Sequence, residues 1–462
     1  MSVMMSEQTS LEVTGKRVAV IGLGRSGLAA VRLLQRLGAR VTVADQKPSS
    51  DLTAALGGLS AGEVEIHGAG GYTAALQGAE VVVVSPGVPL ALEPLQRARQ
   101  AGARIIGELE LASRHLTHRM LAVTGTNGKS TTVTWIGELL RGAGYDPFVG
   151  GNLGTPLAEA ALASLEGRAW DIVVAEVSSF QLETIESFRP WIGAILNITP
   201  DHLDRYPSME AYAAAKLRLF ANQGDEDYAV LNADDPWLSR SSVRSRSARI
   251  EFSRTRPVGR GVCLEGDVIV SNLYGRRDEV CRVGALQVRG THNIENAMAA
   301  AAVAALAGCP MDVISQGLRA FRGLEHVMEI VRVLRGVAYI NDSKGTNVDA
   351  TIKALESVPA PVILIAGGRE KGGEYPGLAE AVRRKARRVI LLGEARARLR
   401  EVLAGTCPIT EAASLRDAVR DAAKTAAAGE TVLLSPACAS FDMFADYKDR
   451  GRQFKESVHE LG

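Results

Sequence analysis

The run Val123-Thr124-Gly125-Thr126-Asn127-Gly128-Lys129-Ser130-Thr131 has the make-up of a loop that holds phosphate groups. Its backbone amides can point at anionic oxygens, Lys129 can reach the outer phosphates, and the Ser130 hydroxyl can ligate Mg²⁺. The full form of such a loop has glycine where Val123 stands. Further on, Glu176 ends the apolar run Asp171–Ala175, and an acid at a strand's carboxyl end suits a nucleotide's metal. A second glycine cluster, Gly22-Leu23-Gly24-Arg25-Ser26-Gly27, with Asp45 after the next apolar run, has the spacing that sets a pyrophosphate on a helix N-terminus. NAD and a UDP-sugar share that group. An NAD-dependent oxidoreductase, a non-catalytic nucleotide-binding module and an ATP-dependent enzyme therefore stay open on these loops alone.

Other polar clusters follow. Asn197-Ile198-Thr199-Pro200-Asp201-His202 comes after an apolar strand, and Lys216 lies on an alanine-rich helix predicted over Ser208–Phe220. Gly290-Thr291-His292-Asn293-Ile294-Glu295-Asn296 offers amide side chains, whose donors and acceptors suit a purine edge. Asn341-Asp342-Ser343-Lys344-Gly345-Thr346-Asn347 follows another strand, and Gly367-Gly368-Arg369-Glu370-Lys371 is a turn presenting cations. Leu434-Ser435-Pro436-Ala437-Cys438-Ala439-Ser440-Phe441-Asp442 is followed by Phe444, Tyr447, Arg450-Gly451 and Phe454.

Taken together, these segments resemble the Mur ligase family over essentially the whole chain. The resemblance implies three α/β domains: a Rossmann-like N-terminal domain over 1–107, a central P-loop ATP-binding domain over 108–323 and a Rossmann-like C-terminal domain over 324–462. It implies an ATP site at Gly125, Thr126, Asn127, Gly128, Lys129, Ser130, Thr131, Asn293, Asn296, Asp342 and Lys344. Two Mg²⁺ would sit on Ser130, Glu176, His202 and Lys216, the lysine carrying a CO₂-derived carbamate that turns a cation into an anionic oxygen ligand. With Asn152 beside the reacting carboxylate, the implied catalytic set is Lys129, Glu176, His202, Lys216 and Asn152. Gly24, Ser26, Gly27, Asp45, Lys47, Ser85 and Gly87 would hold the UDP part of one substrate. Thr346, Lys371, Ser440 and Tyr447 would receive the incoming amino acid, with Asn152 also touching substrate.

Within the family the likeness is to members that add D-glutamate to UDP-N-acetylmuramoyl-L-alanine through an acyl phosphate. The Asp-Asn-Pro-Arg signature of relatives that add diaminopimelate or lysine is absent. Two departures stand out. Val327 follows His326 where the family usually has arginine, with Arg322, Arg332 and Lys344 the cations nearby in sequence; Arg25-Ser26 and Gln46-Lys47 differ from the relatives' uridine-site residues.

The rest of the sequence has to position these groups. Its 462 residues allow about three domains of ~150 each. A net charge of +1 argues against a nucleic-acid partner, which would need a basic surplus. Five scattered cysteines without a CxxC pair argue against a disulfide framework or zinc site and for a reducing compartment. The first ten residues lack the apolar core of a signal peptide, and no apolar run approaches the ~18 residues of a membrane helix. A cytoplasmic monomer without membrane insertion is expected. Apolar runs of strand length alternate with helical stretches, the pattern of parallel sheets flanked by helices. Strands are predicted at Lys16–Gly22, Arg40–Ala44, Val81–Val84, Met120–Thr124, Val337–Ile340, Val362–Ala366, Val389–Leu392 and Thr431–Leu434. Helices are predicted at Leu28–Leu37 and Thr291–Leu306, and the arginine-rich stretch Ser239–Arg289 reads as a peripheral antiparallel patch.

Overall fold

Three sheets, each covered by helices, succeed one another along the chain. A computed structural model describes residues 11–57, 64–152, 154–203, 205–240, 246–288, 290–370, 375 and 377–462. The first sheet comprises β1 (Arg17–Ile21), β2 (Arg40–Ala44), β3 (Val64–His67), β4 (Val81–Val84) and β5 (Arg104–Gly107), all parallel in the order β3-β2-β1-β4-β5. All four valines of β4 are buried, as expected of a strand with helices on both faces. The helix Arg25–Arg36 starts three residues earlier than predicted, with Gly27 inside its first turn.

The second sheet contains β6 (Met120–Thr124), β7 (Pro147–Gly151), β8 (Ile172–Glu176), β9 (Ile192–Ile195), β10 (Tyr228–Asn232), β11 (Ala248–Ser253), β12 (Gly261–Glu265), β13 (Val268–Ser271) and β14 (Asp278–Arg282). Their order is β14-β13-β12-β11-β10-β9-β6-β8-β7. The arginine-rich stretch is thus peripheral, as expected, but only partly antiparallel. β11 pairs parallel with β10 and β12 parallel with β11, extending the central sheet; only β12–β14 run antiparallel. Alternation in the sequence reports a solvated face but not the direction of pairing. The helix Thr291–Leu306 forms as predicted, and its unbroken buried run from Asn296 to Leu306 lets it lie close on this sheet and against the helix Lys129–Gly142. The stacked rings of Trp135 and Phe321, 4.3 Å apart, close that layer.

The third sheet is built from β15 (Glu329–Leu334), β16 (Val337–Asn341), β17 (Val362–Gly367), β18 (Ala386–Leu392), β19 (Ile409–Glu411) and β20 (Thr431–Leu434), in the order β15-β16-β20-β17-β18-β19. Only β15 is antiparallel to its neighbour. All five cysteines are unpaired, and all but Cys407 are buried. No helix among the described residues is long and apolar enough to cross a membrane.

Candidate active site

The phosphate-type loop leaves the end of β6 and enters the helix Lys129–Gly142 through Gly128, which has left-handed geometry (φ 85°). A Cβ at Gly128 would stand 2.2 Å from Asn296 Oδ1, so glycine lets the loop pass beneath that amide. Neighbouring residues fix its backbone. Asn127 N donates to Asn197 Oδ1 (2.8 Å), Asn197 Nδ2 donates to Asn127 O (3.1 Å), and Thr199 N donates to Thr126 Oγ1 (3.0 Å). Lys129 Nζ curls over the loop and donates to Gly125 O at 2.8 Å and Thr126 O at 2.7 Å. Thr131 is buried in the first turn.

Glu176 ends β8 beside this loop, as read from the sequence. Its Oε2 accepts from Ser130 Oγ (2.6 Å) and its Oε1 from Asn152 Nδ2 (2.8 Å). Lys216, only 2% exposed, donates from Nζ to Gly125 O at 2.9 Å. Its helix, capped by Ser208, ends at Leu217 and continues as a 3₁₀ turn over Arg218–Phe220. Burial first, and the Lys129 charge second, hold the Lys216 amine well below the ordinary lysine range. His202 adopts a left-handed backbone (φ 56°), its N–H donating to Asp201 Oδ1 (3.0 Å) and its ring set edge-on to Phe180 at 4.8 Å. A hydroxyl, a carboxylate and a buried amine at one corner form a donor set that an oxygen-seeking cation fits once the amine carries an acid group.

The third sheet completes the cleft, whose volume is about 270 Å³. Lys344, after β16, donates from Nζ to Ser130 Oγ across the boundary. Burial lowers its pKa to about 8. Asp342 lies deeper, its Oδ2 accepting from Ser435 Oγ (2.7 Å) and its Oδ1 from Met328 N (3.2 Å), and burial raises its pKa to about 7. Asn347 caps the helix Val348–Ser357 and donates from Nδ2 to Asn127 Oδ1 and Asp201 Oδ2, both at 3.2 Å. The lining comprises Thr126–Thr131, Asn152, Glu176, His202, Asn293, Asn296, Asp342, Lys344, Thr346 and Tyr447, with His292, Val327 and Lys353 among the others. Ser440 is buried in the loop after β20 and does not line this cleft; Lys371 lies outside the described residues.

Of the three cations near Val327 in sequence, only Lys344 reaches the cleft. Arg322 is exposed, and Arg332 donates to Leu461 O (2.9 Å). A strand-borne arginine is aimed by the pleat, which sequence distance does not report. Lys353 supplies a cation there instead, one that sequence reasoning missed because it looks like any helix-surface lysine.

The other glycine loop lies at the carboxyl edge of the first sheet. A Cβ on Gly27 would come within 1.9 Å of Gly22 O, whereas Gly24 faces open space at the helix N-terminus. Asp45 accepts from Leu23 N through Oδ2 (2.6 Å) and from Lys47 N through Oδ1 (3.0 Å), so it braces the loop. Ser85 Oγ donates to Gly22 O at 2.7 Å; Ser26 is half-buried and Gly87 exposed at the same edge. Two arginines tie this edge to the central sheet. Arg25 donates to Gly154 O, and Arg205 donates to Pro86 O and Val88 O, both at 3.2 Å, with its guanidinium 4.3 Å over the Phe180 ring. Arg205 and the loop-fixing Asn197 lie within or next to the His202 segment, but nothing in their spacing reveals their partners.

Comparison with known proteins agrees with this geometry. Residues 16–107 match the model described as Mur ligase MurD-like, N-terminal domain; 123–304 match Mur ligase middle domain; 328–438 match Mur ligase, glutamate ligase domain. A protein from Pelotomaculum thermopropionicum named UDP-N-acetylmuramoylalanine--D-glutamate ligase is 47% identical over 454 residues, covering 97% of this chain and 99% of its own. One of the same name from Syntrophotalea carbinolica is 45% identical over 455 residues, again covering 97% and 99%. The solved MurF ligase from Thermotoga maritima in complex with ADP shares the fold at a TM-score of 0.61 and 16% identity, covering 99% of this chain and 100% of its own. With three consecutive domain matches and relatives identical at nearly half of their positions along the full length, the chain belongs to the Mur ligase family of ATP-dependent amide-forming ligases.

Proposed function

We propose that the chain joins D-glutamate to UDP-N-acetylmuramoyl-L-alanine at the expense of ATP, giving ADP and phosphate, in the synthesis of peptidoglycan precursors. The observation that carries the reading is the convergence of Lys129, Ser130, Glu176 and Lys344 on one cleft, with the buried Lys216 amine held on the Gly125 carbonyl of its loop, in a chain aligned end to end with relatives named for that reaction.

ATP and Mg²⁺ are the cofactors of a Mur ligase. Gly125–Thr131 would cradle the phosphates, with Asn293 and Asn296 at the base and Asp342 and Lys344 closing from the third domain. Ser130, Glu176, His202 and a carbamylated Lys216 would hold two Mg²⁺, which when bound neutralise charge on the transferring phosphoryl group. The lowered pKa of Lys216 supports this, because carbamylation needs the neutral amine. The substrate carboxylate, steered by Asn152, attacks the γ-phosphorus to give an acyl phosphate and ADP. The D-glutamate amine then attacks the acyl carbon and phosphate leaves. Lys129 and Lys344 oppose the charge that builds between these anionic groups. UDP would rest on Gly24, Ser26 and Gly27, with Asp45, Lys47, Ser85 and Gly87 shaping the edge; Thr346, Lys371, Ser440 and Tyr447 would receive D-glutamate. The enzyme works as a cytoplasmic monomer in this reading.

Phosphate release from ATP, followed with UDP-N-acetylmuramoyl-L-alanine and a panel of amino acids, tests the assignment. Release is expected with D-glutamate; release with L-lysine or diaminopimelate and not with D-glutamate overturns it.

A further inference from the structure

One carboxylate, on a helix whose Ala350 and Lys353 line the cleft, belongs to none of the groups assigned above. Asp349 lies in the first turn of the helix Val348–Ser357 of the third domain. Its Oδ2 accepts from Asn127 Nδ2 at 2.5 Å and from Thr199 Oγ1 at 3.0 Å, and both donors belong to the central domain. Neither donor is free to follow a moving partner. The Asn127 backbone is held on both sides by the Asn197 amide, and Thr199 is held to Thr126 through its N–H and its carbonyl. The acceptor is equally fixed. Lys353, one turn along the helix, contacts the same oxygen at 2.9 Å, and the positive helix N-terminus favours the anion. Asn347 anchors that helix start to Asn127 and Asp201, and Lys344, five residues before Asp349, reaches Ser130. The bonds to Asp349 therefore join two rigid bodies at the tip of the ATP loop, and separating the bodies breaks both together.

We propose that Asp349 is a positioning residue: its carboxylate latches the third domain onto the ATP loop and thereby seats Lys344 over the phosphate site. The inference rests on the ATP-binding reading of the cleft. It predicts that loss of the latch weakens nucleotide binding, since Asp342, Lys344 and Lys353 line the same cleft from the third domain.

Calorimetric titration of the full chain with ADP tests this apart from amide formation. A wild-type protein that binds ADP but does not ligate would refute the proposed substrates and still leave the latch open to judgement. Asp349→Ala is expected to weaken ADP binding and raise the KM for ATP by about tenfold, the loss of charge-assisted hydrogen bonds, with a smaller effect on kcat. Asp349→Asn, which keeps one acceptor oxygen, should recover part of the loss. Thr199→Val should weaken ADP binding modestly, and adding it to Asp349→Ala should cost less than the two single effects combined. A residue that merely stabilised the fold would lower Tm and leave ADP affinity and the KM for ATP unmoved. ADP affinity and KM within about twofold of wild type in Asp349→Ala, or strict additivity with Thr199→Val, overturns the proposal.

Discussion

The two glycine loops, at residues 22–27 and 125–131, occupy the same place in two sheets, between a parallel strand and the helix that follows it, yet their surroundings differ in kind. Around the first, polar groups are consumed in bracing the loop: Asp45 by two backbone amides, Ser85 by the Gly22 carbonyl, Arg25 by the Gly154 carbonyl. Around the second, Lys129, Lys216 and Lys344 gather from separate elements beside Glu176 and Ser130. Backbone geometry suffices to seat an anion on a helix N-terminus. Moving a phosphoryl group needs preorganised charge as well, and the fold brings that charge from distant parts of the chain.

The sharpest way to break this contrast is at Lys216. If Lys216 holds a metal through a carbamate, as proposed, Lys216→Ala should lower ligation by at least about a hundredfold, and small carboxylic acids should restore part of it. Phosphate release in bicarbonate-free buffer measures this, and near wild-type turnover would return Lys216 to the class of ordinary buried amines. The next largest effect belongs to the quieter loop. Gly27→Ala drives a methyl group into the Gly22 carbonyl and should raise the KM for the UDP-linked substrate roughly tenfold while ADP affinity stays the same. Equal losses at both sites would show that the loops are not independent.

The smallest effect concerns the joint between them. Glu108 starts the helix after β5, and its Oε1 accepts from Ala158 N in the central domain at 2.5 Å. Burial raises its pKa from 4.5 to about 7. A raised carboxyl pKa means that the folded state binds the proton more tightly than the unfolded one. Its contribution to stability is whole below pH 4.5 and is lost as pH rises through about 7. Glu108→Gln removes that loss: the variant should match wild type near pH 4 and exceed it near pH 8 by about 1–3 kcal/mol, read as a Tm higher by a few degrees. A Tm difference that does not change with pH would count against the buried carboxylate.

Much of this was legible in the sequence. Continuous apolar runs bounded by turn residues mark β4 and β20, and an alanine-rich stretch of good helix formers marks Thr291–Leu306. Residue types and spacing likewise identify Lys129, Ser130 and Glu176, which the structure brings together. Pairing direction was not legible: the same alternation serves β11, which runs parallel, and β13, which does not. Gly27 inside the first turn disguises the start of its helix. Hydrogen-bond partners were least legible of all. Asn127 and Asp349 are 222 residues apart, and no local period can announce a contact made only by the packing of two domains.

Arg205 has one more consequence. Its guanidinium holds the Pro86 and Val88 carbonyls and covers Phe180, so the first domain is joined to the centre partly through a cation on acceptors without net charge, and partly through the ion pairs Arg32–Glu159 and Arg104–Glu186. The third domain is joined through Asp349 and Lys344, whose partners across the joint are the neutral Asn127 amide and the Thr199 and Ser130 hydroxyls. Ionic strength thus acts unequally on the two joints: added salt screens the partly exposed Arg32–Glu159 and Arg104–Glu186 pairs of the first far more than the contacts of the third, each of which sets one charge against a neutral group. The same molecule can then be loosened on one side by its solvent alone, with no change to its sequence.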